Sequence, residues 1–122
     1  MDPIVGTWTC KVPPAGGFPG FDVVKNFQVG GTIVEMDNAG PSSQETATLG
    51  NWKHTGKLTY GLVLQQFTYD LSGNFAGAYH ITQPLTLDES LTTLEGSFQF
   101  DLVDANGNVL ASGSGTVSCG RL

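Results

Sequence analysis

The sequence contains few side chains suited to acid–base or metal chemistry. It has only two histidines, His54 and His80. His54 adjoins a Thr-Gly turn and His80 alternates with Tyr79 along a predicted strand, so both are expected at the surface. No cysteine or carboxylate stands at metal-ligand spacing around them, and we expect neither a metal nor another cofactor. Motifs for a nucleophile elbow or a phosphate-binding glycine loop are absent as well.

The carboxylates are dispersed, and most fall in predicted turns. Glu35 and Asp37 share one face of a predicted strand opposite Met36, and the sequence predicts that their face is solvated. Tyrosine is then the side chain best suited to proton transfer without a metal. Tyr60 and Tyr79 are the candidates for a catalytic hydrogen-bond donor or acid.

The two cysteines, Cys10 and Cys119, lie at opposite ends of the chain. Free buried thiols are the expectation for a cytosolic protein. The alternative is a disulfide, which requires the first and last segments to be neighbours. Both alternatives remain open at this point.

Length and charge exclude several classes of function. The 122 residues suffice for a single domain over residues 1–122, and the net charge is -6 with 13% charged side chains. Nucleic acid and anionic membranes are poor partners for such a surface. The N-terminus shows no basic start followed by an apolar stretch, so a cytoplasmic protein is expected.

Alternation of apolar and polar residues predicts strands throughout, separated by Gly-, Asn- and Asp-rich turns. Long antiparallel strands need protected edges, and closing the last strand onto the first removes both edges. We therefore predict an all-β fold, a single eight-stranded up-and-down antiparallel barrel, rather than a two-sheet sandwich. The predicted strands are Ile4–Val12, Val23–Val29, Thr32–Asn38, Leu49–His54, Lys57–Tyr69, Phe75–Leu87, Leu91–Val103 and Val109–Arg121.

Two short motifs carry a family resemblance. The first strand contains Gly6-Thr7-Trp8 and the last strand ends near Arg121. With the strand count, these make the chain similar to lipocalins and the wider calycin barrels, and the resemblance implies that Arg121 packs across Trp8 to close one barrel end. The middle lipocalin motif is not recognisable, and the usual C-terminal helix is missing. In size, the chain also resembles the allene oxide cyclase and dirigent barrels.

Strand parity predicts the barrel interior. A bulge near Gln65–Gln66 is expected, because the aromatic residues of that strand change faces there. On the last strand the inward positions are small, including Gly113 and Gly115, and bulky aromatics face them. This pattern indicates either taper packing or an aromatic-lined cavity for a ligand. The predicted ligand-binding residues are Phe27, Met36, Trp52, Tyr60, Leu62, Leu64, Tyr79, Phe98 and Phe100.

The Gly/Pro-rich connection at 13–22 carries Phe18 and Phe21. Because lipocalins place a flap over the open barrel end at this connection, the resemblance suggests a lid. A contact with another copy of the chain is the alternative role.

Three hypotheses follow for function. The first is a barrel that binds a small, largely apolar or aromatic ligand. The second is a cofactor-independent cyclase or isomerase that uses the same cavity. The third is a structural or oligomerising protein. None of them involves nucleic acid or a membrane.

Overall fold

Eight antiparallel strands form one closed barrel. The computed structural model describes residues 1–122, and every strand pairs with the next in sequence while β8 pairs with β1. The predicted all-β, up-and-down barrel is confirmed, and the fold contains no helix that could span a membrane. The strands are β1 (Gly6–Val12), β2 (Phe21–Phe27), β3 (Thr32–Asp37), β4 (Thr48–His54), β5 (Thr59–Tyr69), β6 (Phe75–Leu87), β7 (Thr93–Asp104) and β8 (Val109–Arg121).

The seam between β1 and β8 closes the barrel. In its register Trp8 lies opposite Arg121 and Cys10 lies opposite Cys119. The two cysteines form a disulfide, which corrects the expectation of free thiols. The pairing of the first and last strands supplies the proximity that the sequence alone leaves open.

One barrel end, which we call the closed end, is filled by side chains. Trp8 is fully buried and its indole N–H donates to the carbonyl of Ile4, 2.9 Å away. The Arg121 guanidinium carbon lies 4.2 Å from the centre of the Trp8 ring, a cation–π distance. Arg121 also donates to the carbonyls of Leu91 and Pro3. The N-terminal segment, with Ile4 fully buried, thus seals this end.

Strand β3 faces the opposite way from the prediction. Ile33 and Glu35 point inward and are buried, whereas Met36 is 64% exposed on the outer face. The predicted inward position of Met36 was therefore wrong. The physical reason lies on the neighbouring strand, where Lys25 pairs with Glu35 in register and needs a buried partner.

The bulge in β5 and β6 lies nearer the strand ends than predicted. Gln66 continues the inward face at 4% exposure, and the register shifts between Thr68 and Tyr69 instead. This shift turns Phe75 outward, where its ring lies 5.7 Å from that of Phe67 and 6.2 Å from that of Tyr69. The aromatic residues of these two strands therefore form an outer cluster.

Loss of the disulfide is expected to lower the free energy of unfolding by about 2–4 kcal/mol, because the bridge links residues far apart in the unfolded chain. Thermal or urea unfolding with and without reductant measures this change. The Cys10→Ala/Cys119→Ala variant is the control and should not respond to reductant. Equal stability of the oxidised and reduced wild-type protein would contradict the expectation.

Candidate functional site

A cavity of about 430 Å³ opens at the barrel end opposite Trp8. We call this the open end; the connections 13–20, 38–47, 70–74 and 105–108 lie there. The cavity lies within the size range of small-molecule sites. It contains both apolar and polar side chains, which come from different strands.

The apolar wall of the cavity is aromatic. Phe98 and Phe100 line it from β7, and their rings lie against glycines of β8. A Cβ atom on Gly113 would lie 2.7 Å from the Phe100 ring, and one on Gly115 would lie 2.6 Å from the Phe98 ring. The small residues of β8 therefore make room for these rings, as taper packing predicts. The rings themselves then border the open space.

The mouth of the cavity carries the two phenylalanines of the connection 13–20 and the start of β2. Phe18 and Phe21 both line the cavity, and their ring centres lie 6.0 Å apart. Phe18 is 43% exposed. This position over the mouth is the one that a lid requires, while a contact with another copy stays a prediction.

An ion pair is buried beneath the mouth. The Lys25 Nζ atom lies 2.5 Å from the Glu35 carboxylate and 2.8 Å from the Gln83 side-chain oxygen. The side chains of Lys25 and Glu35 are 1% and 6% exposed. Burial lowers the pKa of Lys25, and the charge of Glu35 opposes this shift. Glu35 is thus a buried counter-ion and not the solvated side chain that the sequence predicted.

A pair of carboxyl groups lies nearer the mouth. Burial, together with the hydrogen bond and the negative charge of Asp37, raises the pKa of Glu45 to about 7. The backbone of Gly40 opposes the shift through a hydrogen bond. Burial and the charges of these two carboxyls also raise the pKa of Tyr79. Asp37, like Glu35, therefore faces inward, against the prediction.

Polar groups without full hydrogen bonding face the same cavity. Thr48 is 2% exposed and lines the cavity, and its hydroxyl makes no hydrogen bond within the protein. The Gln66 amide nitrogen donates to the carbonyl of Thr46 at 2.9 Å, which leaves the Gln66 oxygen free. The Gln83 oxygen accepts from Lys25, which leaves the Gln83 amide nitrogen free. No fully enclosed side-chain polar atom lacks a partner, so these atoms keep access to the cavity.

The predicted ligand-binding residues lie in three places. Tyr79, Phe98 and Phe100 line the cavity, and the Tyr79 and Phe100 rings meet edge-on at 5.5 Å. Met36 lies on the outer surface. The others do not line the cavity and pack in or against the core toward the closed end. These are Phe27, Trp52, Tyr60, Leu62 and Leu64.

Tyr60 is held by the N-terminal segment. Its hydroxyl donates to the Asp2 carboxylate at 2.8 Å, and burial with this contact raises the Tyr60 pKa. The His54 ring also contacts Asp2, while both His54 and His80 are exposed as predicted. Tyr60 therefore contributes to the closed end and lies outside the cavity.

The charged residues of the cavity were missed from the sequence. Lys25 lies between Val23 and Phe27 in a strict alternation, and this signal was available. The partners of Lys25 come from β3 and β6 and are not marked by any motif. No group of three or more histidine, cysteine or acidic side chains is arranged to hold a metal ion.

No protein-family model matches the chain, and comparison with curated proteins and with solved structures finds no match either. The geometry of the barrel is compatible with a calycin-like fold.

Replacement of Lys25 by methionine is expected to cost about 3–5 kcal/mol of stability, because Glu35 is left buried without its counter-ion. The double variant Lys25→Met/Glu35→Leu should recover most of this loss, since no charge then remains buried. Urea unfolding of Lys25→Met, Glu35→Leu and the double variant measures the coupling energy between the two side chains.

The matched control for the Lys25 variants is Lys11→Met. Lys11 pairs with Asp22 at 3.0 Å, but the two side chains are 81% and 56% exposed. An exposed pair contributes at most about 1 kcal/mol. A similar loss for Lys11→Met and Lys25→Met would contradict the proposed cost of the buried charge.

The Glu45 carboxyl is expected to titrate with a midpoint of about 7. Because protonation is favoured in the folded state, the stability contribution of Glu45 declines as pH rises from its ordinary value of 4.5 to about 7. The Asp37→Asn variant removes the neighbouring negative charge, so the Glu45 midpoint should fall. Carbon-detected NMR of the side-chain carboxyl measures it, with Asp101→Asn on the outer face as control. An unchanged midpoint in Asp37→Asn would disprove the coupling.

Proposed function

We propose that this protein binds a small, largely apolar ligand with aromatic character in the open-end cavity. The observation that carries the proposal is the cavity of about 430 Å³ with aromatic walls and a few incompletely bonded polar groups. Apolar lining supplies affinity for a ligand, and sparse polar groups orient it. Phe18 and Phe21 lie at the mouth, where they would cover a bound ligand.

The calycin family remains the best proposal for ancestry. It is supported by the closed eight-stranded barrel and by Arg121, which lies over the ring of Trp8 in the Gly-Thr-Trp motif. This is the closure that the resemblance implies. The ligand-binding role common in such barrels agrees with the proposed function.

The disulfide indicates the kind of cellular compartment in which the protein is located. Bridges such as Cys10–Cys119 persist in oxidising environments and are rare in the cytosol. We therefore favour an oxidising compartment over the cytoplasmic localisation that the sequence suggests. Alkylation of the protein isolated from its native source, without prior reduction, distinguishes the two.

A second candidate function is a cofactor-independent cyclase or isomerase. The observation in its favour is that Tyr79 lines the cavity, where burial and the negative charges of Glu45 and Asp37 raise the pKa of its hydroxyl. A hydroxyl next to a proton-sharing carboxyl pair is suited to move a proton. Because Tyr60 lies outside the cavity, Tyr79 is the one of the two predicted tyrosines that could act as the hydrogen-bond donor or acid. Conversion of a co-purified molecule by wild type but not by Tyr79→Phe would favour this candidate.

The neutral dye N-phenyl-1-naphthylamine is the probe for ligand binding. It should fluoresce more strongly on saturable binding at one site. The Ile81→Trp variant fills the cavity that Ile81 lines and should abolish binding. Circular dichroism and thermal unfolding show whether that variant is folded.

The control is Val63→Trp, which makes a similar change on the outer face of β5, where Val63 is 65% exposed. This variant should bind the dye like wild type. Native mass spectrometry of the freshly purified protein identifies any ligand that is already bound. Equal dye binding by both variants would refute the cavity as the site.

A further inference from the structure

The charges in the open-end cavity do not balance. Its single cation, Lys25, is committed to Glu35 at 2.5 Å. Asp37 and Glu45 also line the cavity, and neither has a salt-bridge partner. Asp37 accepts a backbone hydrogen bond from Ala39 at 3.0 Å and shares a hydrogen bond with Glu45. The cavity therefore carries net negative charge near its mouth.

A second feature points to a ligand at the same place. The hydroxyl of Thr48, a residue that is 2% exposed, lines the cavity and has no partner. The Gln66 oxygen is free because the Gln66 amide nitrogen is held by Thr46. Polar atoms that open into a cavity are free to bond whatever enters it, so these two acceptors are available to a donor group of a ligand. The free atoms of Thr48 and Gln66 can both accept from an N–H group.

The neighbouring aromatic rings suit a cation as well. Tyr79, Phe98 and Phe100 present their rings to the cavity that holds the two carboxyls. Aromatic faces attract ammonium groups, and more strongly where water is excluded. A ligand carboxylate would instead meet Asp37 and Glu45 with no free cation to receive it, because removing Lys25 from Glu35 leaves a buried charge unpaired.

We propose that the ligand is an organic amine, whose ammonium group binds between Asp37 and Glu45 while its apolar body lies against Phe98 and Phe100. The proposal rests on the proposed binding function and names the ligand class for it. Thr48 and Gln66 accept from the remaining N–H groups of the ammonium or from a second polar group of the ligand.

The affinity should depend on pH through Glu45. The groups that face Glu45 are Asp37 on β3, the Tyr79 hydroxyl on β6 and the backbone of Gly40, with the Lys25–Glu35 pair deeper in the cavity. Deprotonation of Glu45 near pH 7 adds a negative charge. An alkylamine stays protonated throughout this range. Its binding should therefore strengthen as pH rises from about 6 to about 8, the interval in which Glu45 titrates.

The test uses three probes with one apolar body: 4-phenylbutylamine, 4-phenylbutanol and 4-phenylbutyrate. Their dissociation constants are measured by calorimetry and by displacement of the bound dye. We expect the amine to bind at least about tenfold more tightly than the alcohol, as charge-assisted hydrogen bonds allow. The butyrate should bind most weakly.

The variant Asp37→Asn/Glu45→Gln should reduce the preference for amine over alcohol to about one, because it removes the two charges that distinguish an ammonium from a hydroxyl. The control, Glu89→Gln/Glu95→Gln, removes two exposed charges elsewhere and should keep the preference. If the first variant does not fold, Glu45→Gln alone should lose the rise of amine affinity with pH.

The outcomes separate this proposal from the proposed function. Dye binding without a preference for the amine, or with the butyrate bound best, overturns the amine proposal and leaves the binding function standing. If calorimetry finds no binding of 4-phenylbutylamine and the dye does not bind either, both proposals fail. An amine preference that survives Asp37→Asn/Glu45→Gln overturns the assignment of its site.

Discussion

Pairing of β1 with β8 is the interaction on which the rest of the structure depends. It converts a chain of hairpins into a closed sheet, because residues 8–11 of β1 pair with residues 118–121 of β8. It also brings Cys10 to Cys119 and Trp8 to Arg121, and these two contacts hold the seam. Without this pairing the inward faces of the strands would have no common interior.

Closure makes the two halves of the barrel interior different. Toward the closed end, Trp8, Ile4 and the surrounding aliphatic side chains pack closely, and the Trp8 indole N–H and the Tyr60 hydroxyl find partners within the protein. Toward the open end, large and small residues together leave a cavity unfilled, and polar side chains line that cavity. The Lys25–Glu35 ion pair lies between these two halves. Its two charges are paired with each other within the protein. Polar groups beyond this pair then face a cavity that a small molecule could enter.

Prediction from sequence succeeded where alternation was regular. The long strands β6, β7 and β8 and the inward aromatics Phe98 and Phe100 followed directly from parity. It failed on β3, whose sequence places apolar residues on both faces. Apolar character there favoured Met36 as the inward residue, but Glu35 points inward because Lys25 lies beside it. A one-residue change of parity exchanges every side chain between the faces, so this single error hid the acidic side of the cavity.

The sequence by itself determined the fold class, the strand order and the barrel closure, because period-two patterning and turn residues act locally and strand edges must be paired. It also indicated Trp8 and Arg121 as partners through a short motif. Only the tertiary structure decided which polar residues meet, since Lys25, Glu35 and Gln83 come from three strands and Glu45 comes from a loop. The same holds for the disulfide between residues 109 positions apart. Contacts between distant segments depend on barrel register, and no local pattern of the chain encodes that register.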